Sequence, residues 1–331
     1  MQGKTIFLGI DVSKETLDLA IRGTKNHIRV ANSSEGFKQL LAWLKALGIT
    51  LPECWFVFEH TGGYEYRLVQ FCASKGIIFS RIGGLEIKKS LGLQRGKNDK
   101  IDATRIAEYA YEKREKIQPQ SPCDPAITRL KLLLCQRSAF VKDKKANENR
   151  VKEVVAMMDF NKNDSLIKHY HQAVRFNEKM IDRVEKDIMK LVQEEESLAN
   201  NYILLTTIPG IGNVNAWMTI AYTENFTRFT SARKYGSYCG VVPYDHESGK
   251  SIKGKSRVSH MANKQIKSTL FMAAKASVQH DPEMKEYYLK SELRGKHHMT
   301  IMNNVKFKLI LRMFAVVNNR EIYVKKSTIA A

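Results

Sequence analysis

Ile6-Phe7-Leu8-Gly9-Ile10-Asp11 and Cys54-Trp55-Phe56-Val57-Phe58-Glu59 are two apolar runs that each close on a carboxylate. Short apolar runs bounded by turn residues read as buried strands. Around the first run, residues 5–11, 17–22 and 27–31 predict three strands. The spacers Ser13-Lys14-Glu15-Thr16 and Gly23-Thr24-Lys25-Asn26 are short enough for hairpin connections. Ser34 then caps a predicted helix in which Phe37, Leu40, Leu41, Trp43 and Leu44 recur at helical spacing. The second run is a fourth strand, residues 64–75 a second helix and residues 77–82 a fifth strand.

Three antiparallel strands followed by helix, strand, helix and strand is the order of a ribonuclease-H-like domain. In that order the first and fourth strands are neighbours, which brings Asp11 beside Glu59. Residues 85–98 read as a basic connector, and a helix follows from about Lys100 with Ile101, Ile106, Ala107 and Ala110 on its apolar side. Asp99 and Asp102, three apart at its start, share one face. Four carboxylates so arranged can surround a pair of hard divalent cations, which stabilise the attacking and leaving oxygens of a phosphodiester. Taken singly, each acid reads as a turn or cap residue, and Asp99 reads as a helix cap. As an ordered quartet they read as catalytic. Glu65 and Glu108 read as surface acids, His60 as either a support behind the metal-binding acids or a core residue, and the His297-His298 pair as surface.

Pro119, Pro122 and Pro125 mark a boundary. The expected division is a metal-binding domain over 1–122, a helical arm over 123–200 and a mainly helical C-terminal domain over 201–331. The arm is nearly free of Gly and Pro, with Leu130, Leu133 and Leu134 opening one helix and Ile181, Val184, Ile188, Leu191 and Val192 marking another. It reads either as a helical spacer or as a coiled-coil dimerisation arm. Beyond it, Thr207-Ile208-Pro209-Gly210-Ile211-Gly212 precedes a helix and resembles a helix-hairpin-helix turn. There Gly210 and Gly212 would let backbone N–H groups approach a phosphate. A plain turn between helices is the other reading.

The 331 residues carry 54 Lys+Arg against 34 Asp+Glu, a formal charge of +20, which favours polyanion partners. Five scattered cysteines without a C-x-x-C pair point away from a disulfide framework or zinc ribbon and towards reduced thiols. No basic-then-apolar leader and no membrane-length apolar run is present, so a cytoplasmic, nucleoid-associated protein is expected.

Three motifs occur in order: Gly9-Ile10-Asp11-Val12-Ser13-Lys14, Phe58-Glu59-His60-Thr61-Gly62-Gly63-Tyr64 and Lys97-Asn98-Asp99-Lys100-Ile101-Asp102-Ala103. They are followed by Thr207 to Gly212, Tyr238-Cys239-Gly240-Val241-Val242-Pro243 and Glu247-Ser248-Gly249-Lys250. This series resembles the DEDD insertion-sequence transposases related to the Piv DNA invertase. The resemblance implies a RuvC-like domain joined by a helical arm to a transposase domain. It implies that Asp11, Glu59, Asp99 and Asp102 bind Mg²⁺ or Mn²⁺, and that Ser248 is a nucleophile forming a phosphoserine link to DNA. It further implies dimers that pair into tetramers, with donor and target DNA paired to a structured noncoding bridge RNA. On local sequence alone Ser248-Gly249 is an ordinary loop dipeptide, and Ser251 is the reserve serine.

Relatives commonly carry G-N-x-x-L-R after the serine loop, where this chain has Ala262-Asn263-Lys264-Gln265-Ile266-Lys267. Lysine cannot make the bidentate fork of arginine, so phosphate contacts there differ. Lys250, Lys253, Lys255, Arg257, Lys264 and Lys267 form an acid-free run suited to a phosphate backbone, or a solvated basic loop. Arg95, Lys97 and Lys100 are candidates for the same role beside the metal site. The competing functions are a junction-resolving nuclease using water, an actin-like sugar kinase or ATPase, and an inactive RNA-binding protein. The kinase would need a second Gly-rich phosphate loop, which the sequence lacks, and the intact quartet argues against an inactive protein.

Overall fold

Five strands form one mixed sheet in the order β3-β2-β1-β4-β5, with β1 at Ile6–Val12, β2 at Thr16–Ile21, β3 at His27–Ala31, β4 at Cys54–Glu59 and β5 at Ile78–Ile82. The structure, a computed structural model, describes residues 5–90, 98–158, 161, 163–248, 252–259 and 261–324, without the side chains of 157–158, 245–248 and 252–256. β1, β2 and β3 pair antiparallel through short hairpins, whereas β1–β4 and β4–β5 pair parallel. This is the ribonuclease-H-like order that the sequence predicts. Parallel pairs need crossovers, which α1 (Ser34–Ala46) and α2 (Tyr66–Lys75) supply. Their apolar sides, including Phe37, Leu40, Leu44, Leu68 and Cys72, pack with Leu8, Ile10, Phe56 and Phe58 in one core.

The other face of the sheet is covered by α4 (Asp99–Glu112), whose Ile106, Tyr109 and Ala110 join Phe7, Val57 and Ile82. Helix α1 begins one residue after its cap: the Ser33 side chain accepts from Gly36 N–H, so Ser33 replaces the expected Ser34. Asn98, accepting from Lys100 N–H, caps α4, which frees Asp99 from a capping role. The stretch expected to be a connector over 85–98 includes α3 (Gly84–Ser90). Its single buried apolar residue, Ile87, packs beside Ile106, and Tyr109 Oη donates to Glu86 Oε1 at 2.6 Å. One anchoring residue in a lysine-rich segment leaves too weak a periodicity to read.

The chain divides into two compact units, Met1–Pro122 and Cys123–Ala331. In the second, Asp124 accepts from Ala126 N–H and opens α5 (Pro125–Met158); α6 (Ser165–Glu194) runs back along it. Arg137–Glu185 at 2.7 Å and Lys144–Glu178 at 2.7 Å fix the antiparallel sense. Helices α7 (Glu196–Thr206), α8 (Asn213–Thr223), α9 (Ala232–Tyr238), α10 (Lys264–His280), α11 (Pro282–Leu293) and α12 (His298–Asn319) complete the unit, with a ribbon of β6 (Pro243–Ser248) and β7 (Ile252–Val258). Trp217, Tyr235, Leu270, Leu309 and Met313 are central to its core. Among the described residues no helix is long and apolar enough to cross a membrane.

Candidate metal centre

Parallel register pairs Ile10 with Phe58, so Asp11 and Glu59 occupy the next rung at neighbouring strand ends. Antiparallel register places Asp18 of β2 opposite Asp11. Helix α4 brings Asp99 and Asp102 to the same end because it lies unusually close to β1 at Gly9. A Cβ on Gly9 would stand 2.1 Å from Ala103 O and 2.3 Å from Ala107 N. The Asp11 carboxyl is consequently pushed up to about 6, first by burial and then by the charges of Asp102, Asp99, Asp18 and Glu59. The four predicted acids therefore share one electrostatic neighbourhood.

Cations of the protein partly relieve that repulsion. Arg29 bridges Asp18 (Nε, 2.8 Å) and Asp99 (Nη2, 2.6 Å), and Arg105 Nη1 holds Asp102 at 3.0 Å. Asp18 also takes His27 Nε2 at 2.9 Å and is only 3% exposed. With Asp99 and Asp102 drawn to arginines, no three His, Cys, Asp or Glu side chains among the described residues are gathered tightly enough to grip one ion. The donor set nevertheless suits a hard divalent cation, being all carboxylate oxygen around a partly desolvated Asp11. Asp18 went unpredicted. Its signal in the sequence is a lone acid inside the apolar strand Thr16-Leu17-Asp18-Leu19-Ala20-Ile21.

Glu65 corrects a sequence expectation. It is 4% exposed rather than a surface acid. Its carboxylate accepts from Thr61 Oγ1 at 2.6 Å and Gly63 N–H at 2.9 Å and pairs with His60 Nδ1 at 2.7 Å. Burial alone would raise its carboxyl, yet hydrogen bonds from His60, Thr61 and the backbone outweigh that and hold it down to about 2. Glu65 thereby staples the loop that leaves β4 directly after Glu59. Half-exposed His60 is neither core nor free, because it leans on Glu65. Glu108 pairs with Arg22 at 3.3 Å and is partly exposed, and His297 and His298 are exposed.

Glu59 itself is seated by a glycine. A Cβ on Gly84 would stand 1.8 Å from Glu59 Oε1, so any larger residue there would push the carboxylate out of this position. Gly84→Ala is expected to keep the fold and the melting temperature of the metal-free protein while weakening Mg²⁺-dependent stabilisation about tenfold or more in apparent affinity. Thermal melting across a Mg²⁺ titration measures both. An unchanged titration would remove Glu59 from the metal site.

The second unit carries the remaining candidates. Ser248 is the last residue of β6 and pairs in register with Ile252; its side chain, like those of Lys253 and Lys255 in β7, lies outside the described set. Arg95, Lys97, Lys250 and Ser251 lie wholly outside the described residues. Lys100, Arg257 and Lys264 are exposed, Lys100 and Lys264 in the first turns of α4 and α10. Gly210, at φ +92°, turns its bare face to α10: a Cβ there would stand 2.6 Å from Ala273 O. Packing is thus a sufficient reason for that glycine. Gly212 caps α8, is exposed and has open space where a Cβ would be.

Residues 202–289 match the family described as "Transposase IS116/IS110/IS902 family", and residues 8–158 match the DEDD transposase family of IS110. The chain belongs to the IS110 family of transposases. As an IS110-family protein it is similar to the "Pilin gene-inverting protein" of Moraxella bovis, 28% identical over 97% of this chain and 98% of that one. The protein of the same description from Moraxella lacunata matches to the same extent. "Insertion element IS110 uncharacterized 43.6 kDa protein" of Streptomyces coelicolor is 30% identical over 36% of this chain and 29% of its own length. Among solved structures, "T. thermophilus RuvC in complex with Holliday junction substrate" aligns with 35% of this chain and 99% of that chain, at 14% identity and a TM-score of 0.27.

Proposed function

We propose that this IS110-family transposase cuts and rejoins the DNA of a mobile element through a covalent phosphoserine intermediate at Ser248. In this reading Asp11, Glu59, Asp99 and Asp102 hold divalent metal. The observation that supports it is the Asp11 carboxyl, driven up first by burial and then by four acidic neighbours, an arrangement with no purpose in a merely structural sheet edge. Mg²⁺ or Mn²⁺, when bound, supplies positive charge for the attacking and leaving oxygens. The residues do the rest. Asp11 and Glu59 present oxygens from rigid strand ends, and Glu65 fixes the loop behind Glu59.

The serine step balances as a transesterification. Ser248 Oγ bonds to phosphorus and releases its proton to solvent, while the P–O3′ bond breaks and O3′ takes up a proton. One DNA end is left as a phosphoserine ester and the other as a free 3′-hydroxyl. Attack by a different 3′-hydroxyl reverses the step and joins new partners without an external energy source. In keeping with the family resemblance, residues 123–200 act as an arm in a dimer that pairs into a tetramer. A structured noncoding RNA selects donor and target DNA, and the exposed basic residues Lys100, Arg257 and Lys264 grip phosphates.

The test is trapping of a covalent protein–DNA adduct. Protein, Mg²⁺, the RNA transcribed beside the gene and DNA carrying the element's junction are incubated, denatured and resolved by size. A shifted band that vanishes in Ser248→Ala is the expected result, with DNA binding retained by the variant. Metal-dependent cleavage without an adduct would assign the chemistry to water, as in a junction-resolving nuclease. Wild-type recombination by Ser248→Ala would remove the serine from the mechanism.

A further inference from the structure

Lys306 lies in the middle of α12 and is 3% exposed, the one buried lysine among the described residues. Among the described residues it has neither a hydrogen-bond nor an ion-pair partner, and its Nζ lies over the face of Phe271, 5.7 Å from the ring centre. Burying an ammonium without a counter-charge is costly. Here burial and the charge of Lys267 push the Lys306 ammonium down to about 8.

The surroundings place this charge at the root of the ribbon that ends in Ser248. Asn303, one turn before Lys306, donates from Nδ2 to Val241 O at 2.6 Å, and the Phe307 ring abuts Gly236 and Val242 of the segment entering β6. From α10, the stem of Lys267 lies at Gly240: Cδ would be 3.7 Å from a Cβ there. Lys306 over Phe271 and Lys267, one turn before Phe271 on α10, therefore bring two cations from different helices to the segment entering β6, and no described acid is paired with either. A structural lysine would have been matched with a carboxylate or replaced by Met or Leu. An unmatched pair is what an anion-binding seat looks like before its anion arrives.

We propose that Lys306 and Lys267 form a seat for a backbone phosphate of bound nucleic acid, fixing the strand relative to the β6–β7 ribbon. This rests on the reading of the chain as a nucleic-acid enzyme but on none of its chemistry. Lys306 is thus a positioning residue, outside the acid-free run from Lys250 to Lys267 that the sequence singles out.

The test uses the full chain without divalent metal, so its failure is separable from failure of the serine mechanism. Inorganic phosphate is expected to raise the melting temperature of the wild type. Lys306→Met is expected to melt higher than wild type without phosphate and to gain little when phosphate is added. Binding of a short random DNA duplex and of a single-stranded RNA is then followed against salt. Loss of one phosphate contact lowers the slope of log K against log salt by about 0.9 for duplex or about 0.7 for single strand, with roughly tenfold weaker binding at low salt. A change in the duplex arm alone identifies DNA as the source of the phosphate, and a change in the RNA arm alone identifies RNA. Lys267→Met, at a half-exposed position, reads the same slope should Lys306→Met fail to fold. Unchanged slopes in both arms, or a Lys306→Met protein that melts lower and keeps its full phosphate response, would overturn the proposal.

Discussion

Gly9→Ala is expected to cost the first unit about 3 kcal/mol or more of stability, the upper end for overpacking. Most small-to-large changes are absorbed by a side chain that turns aside. Here the new methyl would meet Ala103 O at 2.1 Å, Ala107 N at 2.3 Å and Ala107 Cα at 2.9 Å, all backbone of α4. Neither strand nor helix can yield locally: Leu8 and Ile10 on either side of Gly9, and Ala103 and Ala107 on the helix, are all fully buried. The helix must retreat as a body, and it takes Asp99 and Asp102 with it. Urea unfolding should therefore show a lower midpoint, and Mg²⁺ should no longer stabilise what remains folded. A Gly9→Ala protein with wild-type midpoint and wild-type Mg²⁺ response would mean that α4 is not seated on β1 as described.

Asp11→Asn is expected to separate stability from activity. It removes the carboxylate that burial and four acidic neighbours disfavour, so the metal-free protein should be at least as stable as wild type. Strand cleavage should fall by roughly a thousandfold or more, corresponding to about 4 kcal/mol of lost transition-state stabilisation. Nucleic-acid binding, which the proposal assigns to the basic residues, should persist. Melting temperature with and without Mg²⁺, together with cleavage of junction DNA, checks both halves. Loss of activity accompanied by a lower metal-free melting temperature would instead mark Asp11 as a structural residue.

How much of this centre could be read in advance differs from residue to residue. Asp11 and Glu59 were legible because each ends an apolar run, and the order of strands and helices makes those two runs neighbours. Asp99 and Asp102 were legible as a pair through their three-residue spacing. Glu65 was misread as a surface acid, since its partners Thr61 and Gly63 are ordinary loop residues until the chain folds them around a carboxylate. Arg29 gave no sign that it would reach from β3 to Asp99, 70 positions away. The amphipathic pattern of α12 permits a polar residue at Lys306 but does not say that the face it sits on is covered.

The sequence by itself indicated the five strands of the first unit and their order, the long helices between residues 123 and 200, and the four acids in order along the chain, because these follow from short-range periodicity and from where apolar runs stop. Tertiary structure alone decided which charges are matched and which are not. It paired Asp18 with His27 and Arg29, gave Glu65 its loop, left Lys306 with Phe271 and Lys267, made Gly9 obligatory against the backbone of α4, and set Gly84 against the Glu59 carboxylate. The reason is physical: periodicity fixes the face a residue occupies, whereas burial, counter-charge and steric clearance depend on what distant segments bring against that face.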